Sequence, residues 1–245
     1  MTDGGGGGSA AGAAGDAGDA GASGAGGGVA DRTVLLAGAT SASGAAAAHV
    51  LVDAGAHVIA VGRDAARLAP LRDAGARPEV CDLAVESDVA RLAARLHDDG
   101  VRVDGVLHLV GGWRGGGGLA GQSEDDYRFL EVGLTALRHV TRAFDADLQA
   151  SNAARLAIVS STAVARPLAG GANYAAVKAA EEAWTRAVAQ GFAKAARDAE
   201  VPLRAAAVVF RVKVLAGLEE RLAQAYAGLW SVDAADVNDT VVELA

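Results

Sequence analysis

Cysteine and histidine are scarce in this sequence, which has one cysteine, Cys81, and five scattered histidines among 245 residues. A single cysteine excludes an internal disulfide framework and fits a reducing compartment. Cys81 and the histidines show none of the spacings that bind metals in known sites, so we expect no metal. No apolar run approaches the roughly 20 residues needed to cross a bilayer, and no membrane segment is expected.

The sequence also has fewer basic residues than acidic ones. The chain has 22 Lys and Arg against 30 Asp and Glu, which gives a formal net charge of -8. General nucleic-acid binding needs a basic face, so we expect no nucleic-acid partner. The start of the chain lacks the cationic region and apolar core of a signal peptide, which makes the cytoplasm the expected location.

The first 30 residues are nearly all Gly, Ala, Ser and Asp. Such a stretch has almost no apolar surface to bury, so we expect residues 1–30 to form a disordered tail. The remaining residues, 31–245, are enough for one α/β domain with a hydrophobic core.

From Asp31 onward, short apolar runs alternate with Ala-rich stretches of helical period. Strands that are apolar along their whole length suit a parallel sheet covered on both faces. Right-handed crossovers then predict a doubly wound, Rossmann-type α/β fold with strand order 3-2-1-4-5-6. The predicted strands are Thr33–Ala37, His57–Val61, Arg77–Cys81, Gly105–Val110, Arg155–Ser160 and Leu203–Phe210. The predicted helices lie near 43–54, 65–74, 86–98, 123–149 and 173–198.

A small-residue turn, Ala37-Gly38-Ala39-Thr40-Ser41-Ala42-Ser43-Gly44, joins the first strand to the first helix. Glycine lets the backbone approach a pyrophosphate, and the helix amino terminus offers free N–H groups and positive potential. Ala42 replaces one glycine of the usual spacing, however. An ordinary turn that binds nothing therefore stays open on this motif alone.

The second strand ends at Val61-Gly62-Arg63-Asp64. An acid at this point would bind the ribose 2′-hydroxyl of NAD, whereas a nearby arginine accommodates the 2′-phosphate of NADP. Gly62 stands where the acid would, so we favour NADP, with NAD as the alternative. The other interpretation is that Arg63 is solvated and Asp64 only caps the next helix.

Two further strand ends carry candidate cofactor contacts. Asp82-Leu83 follows the third strand, where the carboxylate could meet an adenine amino group, and Val110-Gly111 follows the fourth, where glycine lets the backbone pass a ribose. Each of these segments could equally be an ordinary loop.

A serine, a tyrosine and a lysine form the candidate catalytic set. Tyr174 and Lys178 lie four residues apart at a helix start and share one face. An ammonium near a phenol favours the phenolate, which suits acid–base chemistry. Ser161, at the end of the fifth strand, can reach the same point and hydrogen-bond a developing alkoxide.

This set, together with the glycine turn, Asp82 and Gly111 in the same order, resembles the short-chain dehydrogenase/reductase family over about 31–245. The resemblance implies carbonyl–alcohol interconversion on a small molecule, with Tyr174 as general acid/base, Lys178 holding the nicotinamide ribose and Ser161 orienting the substrate oxygen. The cofactor-binding residues that it implies are Gly38, Thr40, Ser41, Ala42, Gly44, Arg63, Asp82, Leu83, Val110, Gly111, Tyr174 and Lys178.

The chain departs from the family pattern at four places. Gly133 stands where the family carries an asparagine that supports a water-linked proton relay to the lysine. His108-Leu109-Val110-Gly111 replaces Asn-Asn-Ala-Gly, and Phe210-Arg211 replaces a Pro-Gly loop. A helix is predicted near 233–244, so we expect the usual seventh strand to be missing and the sixth strand to be an exposed edge.

The leucines between Phe210 and Asp233, together with Tyr226 and Trp230, predict either a mobile lid over the substrate or a plain packed helix. Trp113 could line the mouth of the same site or lie in a surface loop. The helices near 123–149 and 173–198 resemble those through which family members form homodimers or homotetramers.

Three functions remain open from the sequence. The first is an NADP-dependent oxidoreductase, which the serine, tyrosine and lysine favour. The second is a catalytically weak or inactive dinucleotide-binding sensor or partner subunit, which Gly133 and the lost Pro-Gly loop favour. The third is an α/β domain that binds no dinucleotide.

Overall fold

The computed structural model describes Met1 and residues 28–245, so most of the expected tail at 1–30 lies outside the described residues. Seven parallel strands form one sheet in the order β3-β2-β1-β4-β5-β6-β7. The strands are β1 Thr33–Ala37, β2 His57–Gly62, β3 Arg77–Val80, β4 Gly105–His108, β5 Arg155–Ser161, β6 Ala206–Val212 and β7 Thr240–Leu244. The helices are α1 Ala42–Asp53, α2 Ala65–Asp73, α3 Glu86–Asp98, α4 Glu124–Ala143, α5 Asp145–Ala150, α6 Ala172–Asp198, α7 Glu219–Gly228 and α8 Ala234–Val237.

The sheet is covered on both faces, which confirms the doubly wound prediction. One apolar core joins α1, α2 and α7 to one face, for example through Leu51 and Leu222. The other core joins α3, α4 and α6 to the opposite face, for example through Leu92, Val140 and Phe192. The central strands bury both of their faces, and this explains why their sequences are apolar along their whole length.

The prediction that the seventh strand is missing was wrong. The expected helix near 233–244 is only the single turn α8, after which Asp239 adopts a positive φ of 62° and the chain enters β7. The β-branched run from Thr240 to Val242 suits an extended backbone and pairs in parallel register with β6. The Asn238 amide accepts from Ala207 N–H at 3.0 Å, which fixes this register. β7 is therefore the edge strand of the sheet. The expectation that β6 would be an exposed edge was wrong.

The segment after β6 forms the packed helix rather than an open lid. Leu222 and Tyr226 in α7 and the following Trp230 are fully buried, and α7 packs against α1. The Tyr226 hydroxyl donates to the Arg155 carbonyl at 3.1 Å, which ties this helix to the base of the sheet. Among the described residues, no helix combines the length and the apolar character needed to span a membrane.

Candidate functional site

The turn between β1 and α1 requires glycine at two positions. Gly38 has a φ of +91°, and a Cβ atom there would lie 2.9 Å from the Val110 backbone nitrogen. A Cβ atom at Gly44 would lie 2.3 Å from the Ala39 carbonyl oxygen. The Ser41 hydroxyl accepts from Gly44 N–H at 3.0 Å and caps α1. The turn thus presents bare backbone and a helix amino terminus at the carboxyl end of the sheet.

A cavity of about 250 Å³ opens beside this turn. Its lining contains eight of the residues predicted to bind a cofactor, namely Gly38, Thr40, Ser41, Arg63, Asp82, Leu83, Val110 and Gly111. Ala42 and Gly44, also predicted, shape the turn and line neither this cavity nor the next one. The structure therefore brings the ends of β1, β2, β3 and β4 together at one place.

Two guanidinium groups stand at this cavity, although the sequence interpretation named only one. Arg63 is 75% exposed along its side chain and lies 4.0 Å from Asp82. Arg67, in the first turn of α2, donates from Nη2 to the Thr40 carbonyl at 2.7 Å. Asp64 caps α2 by accepting from the Ala66 and Arg67 N–H groups, as predicted. The spacing of four from Arg63 is the signal that could have found Arg67.

Cys81 also lines the first cavity, but its thiol is not activated as a nucleophile. Burial raises the pKa of the Cys81 thiol to about 11, and the nearby Asp88 and Asp82 carboxylates add to this effect. The thiolate is the nucleophilic form, so Cys81 remains a thiol at neutral pH and packs as a small apolar side chain.

A second cavity, of about 500 Å³, continues from the first one and shares its lining at Ser41 and along 109–111. Tyr174 and Lys178 both line it, as the helix-face argument predicts. Its walls are mostly apolar, with Val159, Val212 and Val214 on one side. Trp113, 62% exposed, stands at its mouth.

Lys178 is buried and held by two acceptors. Its Nζ donates to the Val159 carbonyl at 2.9 Å and to Glu181 Oε2 at 2.8 Å. Burial raises the pKa of the Glu181 carboxyl, while the Lys178 ammonium acts in the opposite direction. The sequence interpretation missed Glu181, because an acid three residues after a lysine is an ordinary pattern on an exposed helix face.

His108 is a buried residue in the lining of the second cavity. Its Nε2–H donates to the Gly133 carbonyl at 3.0 Å, while Nδ1 is buried with no partner among the described residues. Burial, with a smaller contribution from the Lys178 charge, lowers the pKa of His108 to about 3. The imidazole is therefore neutral, and Nδ1 carries a free lone pair.

Ser161 does not share the cavity lining with Tyr174 and Lys178. Its side chain is buried, and its hydroxyl accepts from Ala163 N–H at 3.1 Å. In the sheet register, Ser161 pairs with Val212, which does line the cavity. Ser161 is thus next to a lining residue without lining the cavity itself, and its hydroxyl proton is available to donate.

The end of β6 is held by an ion pair between the partly buried Arg211 and the buried Glu182, which the sequence interpretation did not foresee. Arg211 contacts both Glu182 oxygens, at 2.8 and 2.6 Å, and Ser160 donates to Glu182 Oε1 at 2.7 Å. Burial acts to raise the pKa of Glu182, but the hydrogen bonds from Arg211 and Ser160 outweigh it and the pKa is lowered. Where the family pattern has a Pro-Gly loop, this chain has the contact of Arg211 and Ser160 with Glu182, which joins β5 and β6 to α6.

With this geometry defined, comparison with known proteins gives the family. The family model of the short chain dehydrogenases matches residues 32–199. The chain belongs to this family.

Several solved structures share the fold. A short-chain type dehydrogenase/reductase from Mycobacterium ulcerans matches with a TM-score of 0.76 at 20% identity, covering 89% of each chain. A short chain dehydrogenase from Shigella flexneri 2a str. 301, complexed with NADP, matches with a TM-score of 0.76 at 21% identity, covering 88% of this chain and 97% of that one. At these identities the likeness establishes the fold.

A curated relative is similar over a shorter stretch. A protein of Streptomyces sp. (strain C5), named as a daunorubicin C-13 ketoreductase, is 41% identical over 93 residues. The match covers 35% of this chain and 32% of the relative, so this short chain dehydrogenase spans about a third of the length of the curated protein it matches.

Proposed function

We propose that this chain is an NADP(H)-dependent oxidoreductase that interconverts a small carbonyl compound and an alcohol, with Tyr174 as the general acid/base. The observation that carries the proposal is the joining of two cavities, one at the Gly38 turn and one lined by Tyr174 and Lys178, along shared residues 109–111. A dinucleotide is an elongated ligand that needs such a pair of connected subsites at the carboxyl end of a parallel sheet.

The adenosine end suits a 2′-phosphate. Arg63 and Arg67 both line the first cavity, and the described lining has Asp82 as its single acid. Arg63 is highly exposed and lies at the 4.0 Å limit from Asp82, so it is free to turn toward a phosphate. Guanidinium groups bind phosphate through paired N–H donors, which favours NADP over NAD.

The second cavity suits the reacting end of the cofactor and a substrate. When bound there, the nicotinamide would supply the hydride. Lys178 has three N–H donors, of which two are taken by Val159 and Glu181, so one remains for a ribose hydroxyl. Tyr174 would give its proton to the substrate oxygen during reduction and take it back during oxidation. Ser161 would orient that oxygen through its hydroxyl proton.

The cavity walls favour an apolar ketone as substrate. Val159, Val212, Val214 and Trp113 offer apolar surface around Tyr174. Because one relative is named as a daunorubicin C-13 ketoreductase, daunorubicin belongs in the substrate panel.

A titration tests the cofactor assignment first. The full chain is added to NADPH and then to NADH while the nicotinamide fluorescence is followed. We expect binding to both, with NADPH the tighter ligand. No fluorescence change with either nucleotide would remove the proposal, and a preference for NADH would show that the arginines do not read a 2′-phosphate.

Turnover is tested with a carbonyl panel and the Tyr174→Phe variant. We expect NADPH consumption with at least one ketone and a fall of at least roughly 10²-fold in Tyr174→Phe, because the variant lacks the transferable proton. The matched control is Tyr127→Phe, whose tyrosine lies on α4 outside both cavity linings and should keep full activity. Activity that persists in Tyr174→Phe would refute the assigned acid.

The same measurements test a second candidate function, which is a dinucleotide-binding protein with little or no turnover. Ser161 is absent from the cavity lining that Tyr174 and Lys178 share, which favours this candidate. Tight NADPH binding with no consumption across the panel would support it over the enzyme.

A further inference from the structure

The contact between α4 and α6 depends on a glycine, Gly133, which lies in α4 opposite Glu181 of α6. Glu181 is 1% exposed and faces Gly133. A Cβ atom added at Gly133 would lie 2.6 Å from Glu181 Oε1 and 3.1 Å from the Val110 carbonyl oxygen. The Glu181 carboxylate therefore fills the space that an asparagine side chain at position 133 would occupy.

The same carboxylate contacts Lys178. Glu181 Oε2 accepts from Lys178 Nζ at 2.8 Å, and both side chains are nearly buried, at 1% and 10% exposure. The Lys178 ammonium has three N–H donors, of which Val159 and Glu181 accept two. One N–H is therefore left for a ligand in the cavity. A buried carboxylate at hydrogen-bond distance both orients the ammonium and offsets its charge.

The other ionisable groups around this pair do not replace Glu181. His108, from β4, donates to the Gly133 carbonyl and is neutral. Glu182, the next residue on α6, is turned toward Ser160 and Arg211 of β6. Tyr174 lies one turn before Lys178 and lines the same cavity. Within the described residues, Glu181 is thus the one carboxylate in contact with the Lys178 ammonium.

We propose that Glu181 is a positioning residue of the active site, a buried carboxylate that holds Lys178 and balances its charge from the space left by Gly133. This inference rests on the proposed function, and it deepens it. An ammonium balanced by a carboxylate draws the Tyr174 proton away less strongly than an unbalanced one. Glu181 would thereby favour the phenol form of Tyr174, which is the form that donates a proton in carbonyl reduction.

A spectrophotometric titration of tyrosine tests the charge balance directly. The sequence has three tyrosines, at 127, 174 and 226, so subtracting the tyrosinate absorbance of a Tyr174→Phe protein isolates Tyr174. The subtraction is made in the otherwise unchanged chain and in Glu181→Gln. We expect the Tyr174 midpoint to fall by about one pH unit in Glu181→Gln, because the ammonium loses its counter-charge.

The matched control is Glu182→Gln. It removes a neighbouring buried carboxylate that does not contact Lys178, so the Tyr174 midpoint should move by less than about 0.3 pH units. An equal shift in Glu182→Gln, or no downward shift in folded Glu181→Gln, would overturn the inference. Circular dichroism and thermal melting establish folding for each protein.

A second variant covers the case in which Glu181→Gln does not fold. Gly133→Asn combined with Glu181→Ala puts a neutral amide into the same space. We expect the Tyr174 midpoint to fall here as well, by about one unit, because the counter-charge is again absent. An unchanged or higher midpoint in this folded variant contradicts the inference.

These titrations need neither cofactor nor substrate, so they separate the two proposals. If the chain binds no nucleotide but the midpoint shifts as expected, the proposed function fails and the charge balance stands. If the chain is active, the high-pH fall of kcat for reduction should begin about one unit lower in Glu181→Gln. An active chain whose pH profile and titration are both unmoved refutes the role of Glu181 alone.

Discussion

Gly133 and Glu181 fit each other across the contact between α4 and α6, with Glu181 Oε1 2.6 Å from the point where a Cβ atom at position 133 would lie. Taken alone, a glycine inside a helix weakens it. Here it makes room for the buried carboxylate that contacts Lys178. The two positions should therefore respond to mutation as a pair.

Gly133→Ala should destabilise the chain although alanine is the better helix former. The gain in helix propensity is about 1 kcal/mol, but the overlap with Glu181 costs roughly 1–3 kcal/mol. In a Glu181→Ala background the 2.6 Å overlap is gone and only the 3.1 Å approach to the Val110 carbonyl oxygen remains, so the same change should stabilise by less than about 1 kcal/mol. Urea denaturation of the four proteins measures this reversal of sign.

Gly191→Ala is the control for that cycle. Gly191 is an exposed position in α6 where an added Cβ atom meets nothing within 4 Å. It should stabilise by about 0.5–1 kcal/mol in either background. If Gly133→Ala behaves like Gly191→Ala in the presence of Glu181, the close fit of the pair is wrong.

His108 should make the fold sensitive to mild acid. Burial holds the pKa of His108 at about 3, below the unfolded value of 6.5, so its contribution is complete above about pH 6.5 and is lost as the pH falls toward 3. The loss between pH 7 and pH 5 should be about 2 kcal/mol. Urea denaturation of the chain and of His108→Asn at both pH values measures it as a difference.

The exposed His57, at the start of β2, provides the matched control. His57→Asn should keep the pH dependence of the unchanged chain, whereas His108→Asn should flatten it. Equal slopes for the unchanged chain and His108→Asn would contradict the burial of a neutral imidazole.

Arg63 and Arg67 should each contribute to the preference for NADPH. Each single change to alanine should weaken NADPH binding by about tenfold, because a charge-assisted hydrogen bond to phosphate is worth roughly 1.5–3 kcal/mol less the cost of ordering an exposed side chain. NADH affinity should change little. Arg72→Ala, which removes an exposed guanidinium at the far end of α2, should alter neither affinity. Equal losses for both nucleotides in Arg63→Ala and Arg67→Ala would argue against 2′-phosphate recognition.

Arg211 should be needed for folding stability. Arg211→Ala leaves the buried Glu182 carboxylate with Ser160 alone, which should cost about 3 kcal/mol in thermal or chemical denaturation. The double change Arg211→Met with Glu182→Leu should recover most of that loss, since no unpaired charge remains.

An exposed pair on α6 serves for comparison. Lys194→Ala breaks the surface contact with Asp198 and should cost less than about 0.5 kcal/mol. A similarly small cost for Arg211→Ala would mean that the contact with Glu182 does not stabilise the end of β6.

The first six strands could be predicted because each is a short apolar run between stretches of helical period. Thr33–Ala37 agrees to the residue, and the others differ only at their ends. β7 was mistaken for a helix because a short run such as 240–244 fits both periods, and pairing with β6 decides between them. Likewise, the leucines before Trp230 indicated a buried face but could not say whether it packs on α1 or closes over a substrate.

The sequence by itself determined the doubly wound order, the glycine turn, and the shared face of Tyr174 and Lys178, because each depends on residues near one another along the chain. The tertiary structure alone decided that Glu181 reaches the space beside Gly133, that Arg67 holds the Thr40 carbonyl, and that Ser161 is absent from the cavity lining that Tyr174 and Lys178 share. These relations depend on the distance between elements far apart in sequence. Side-chain packing sets such distances to within an ångström, and no local pattern encodes them.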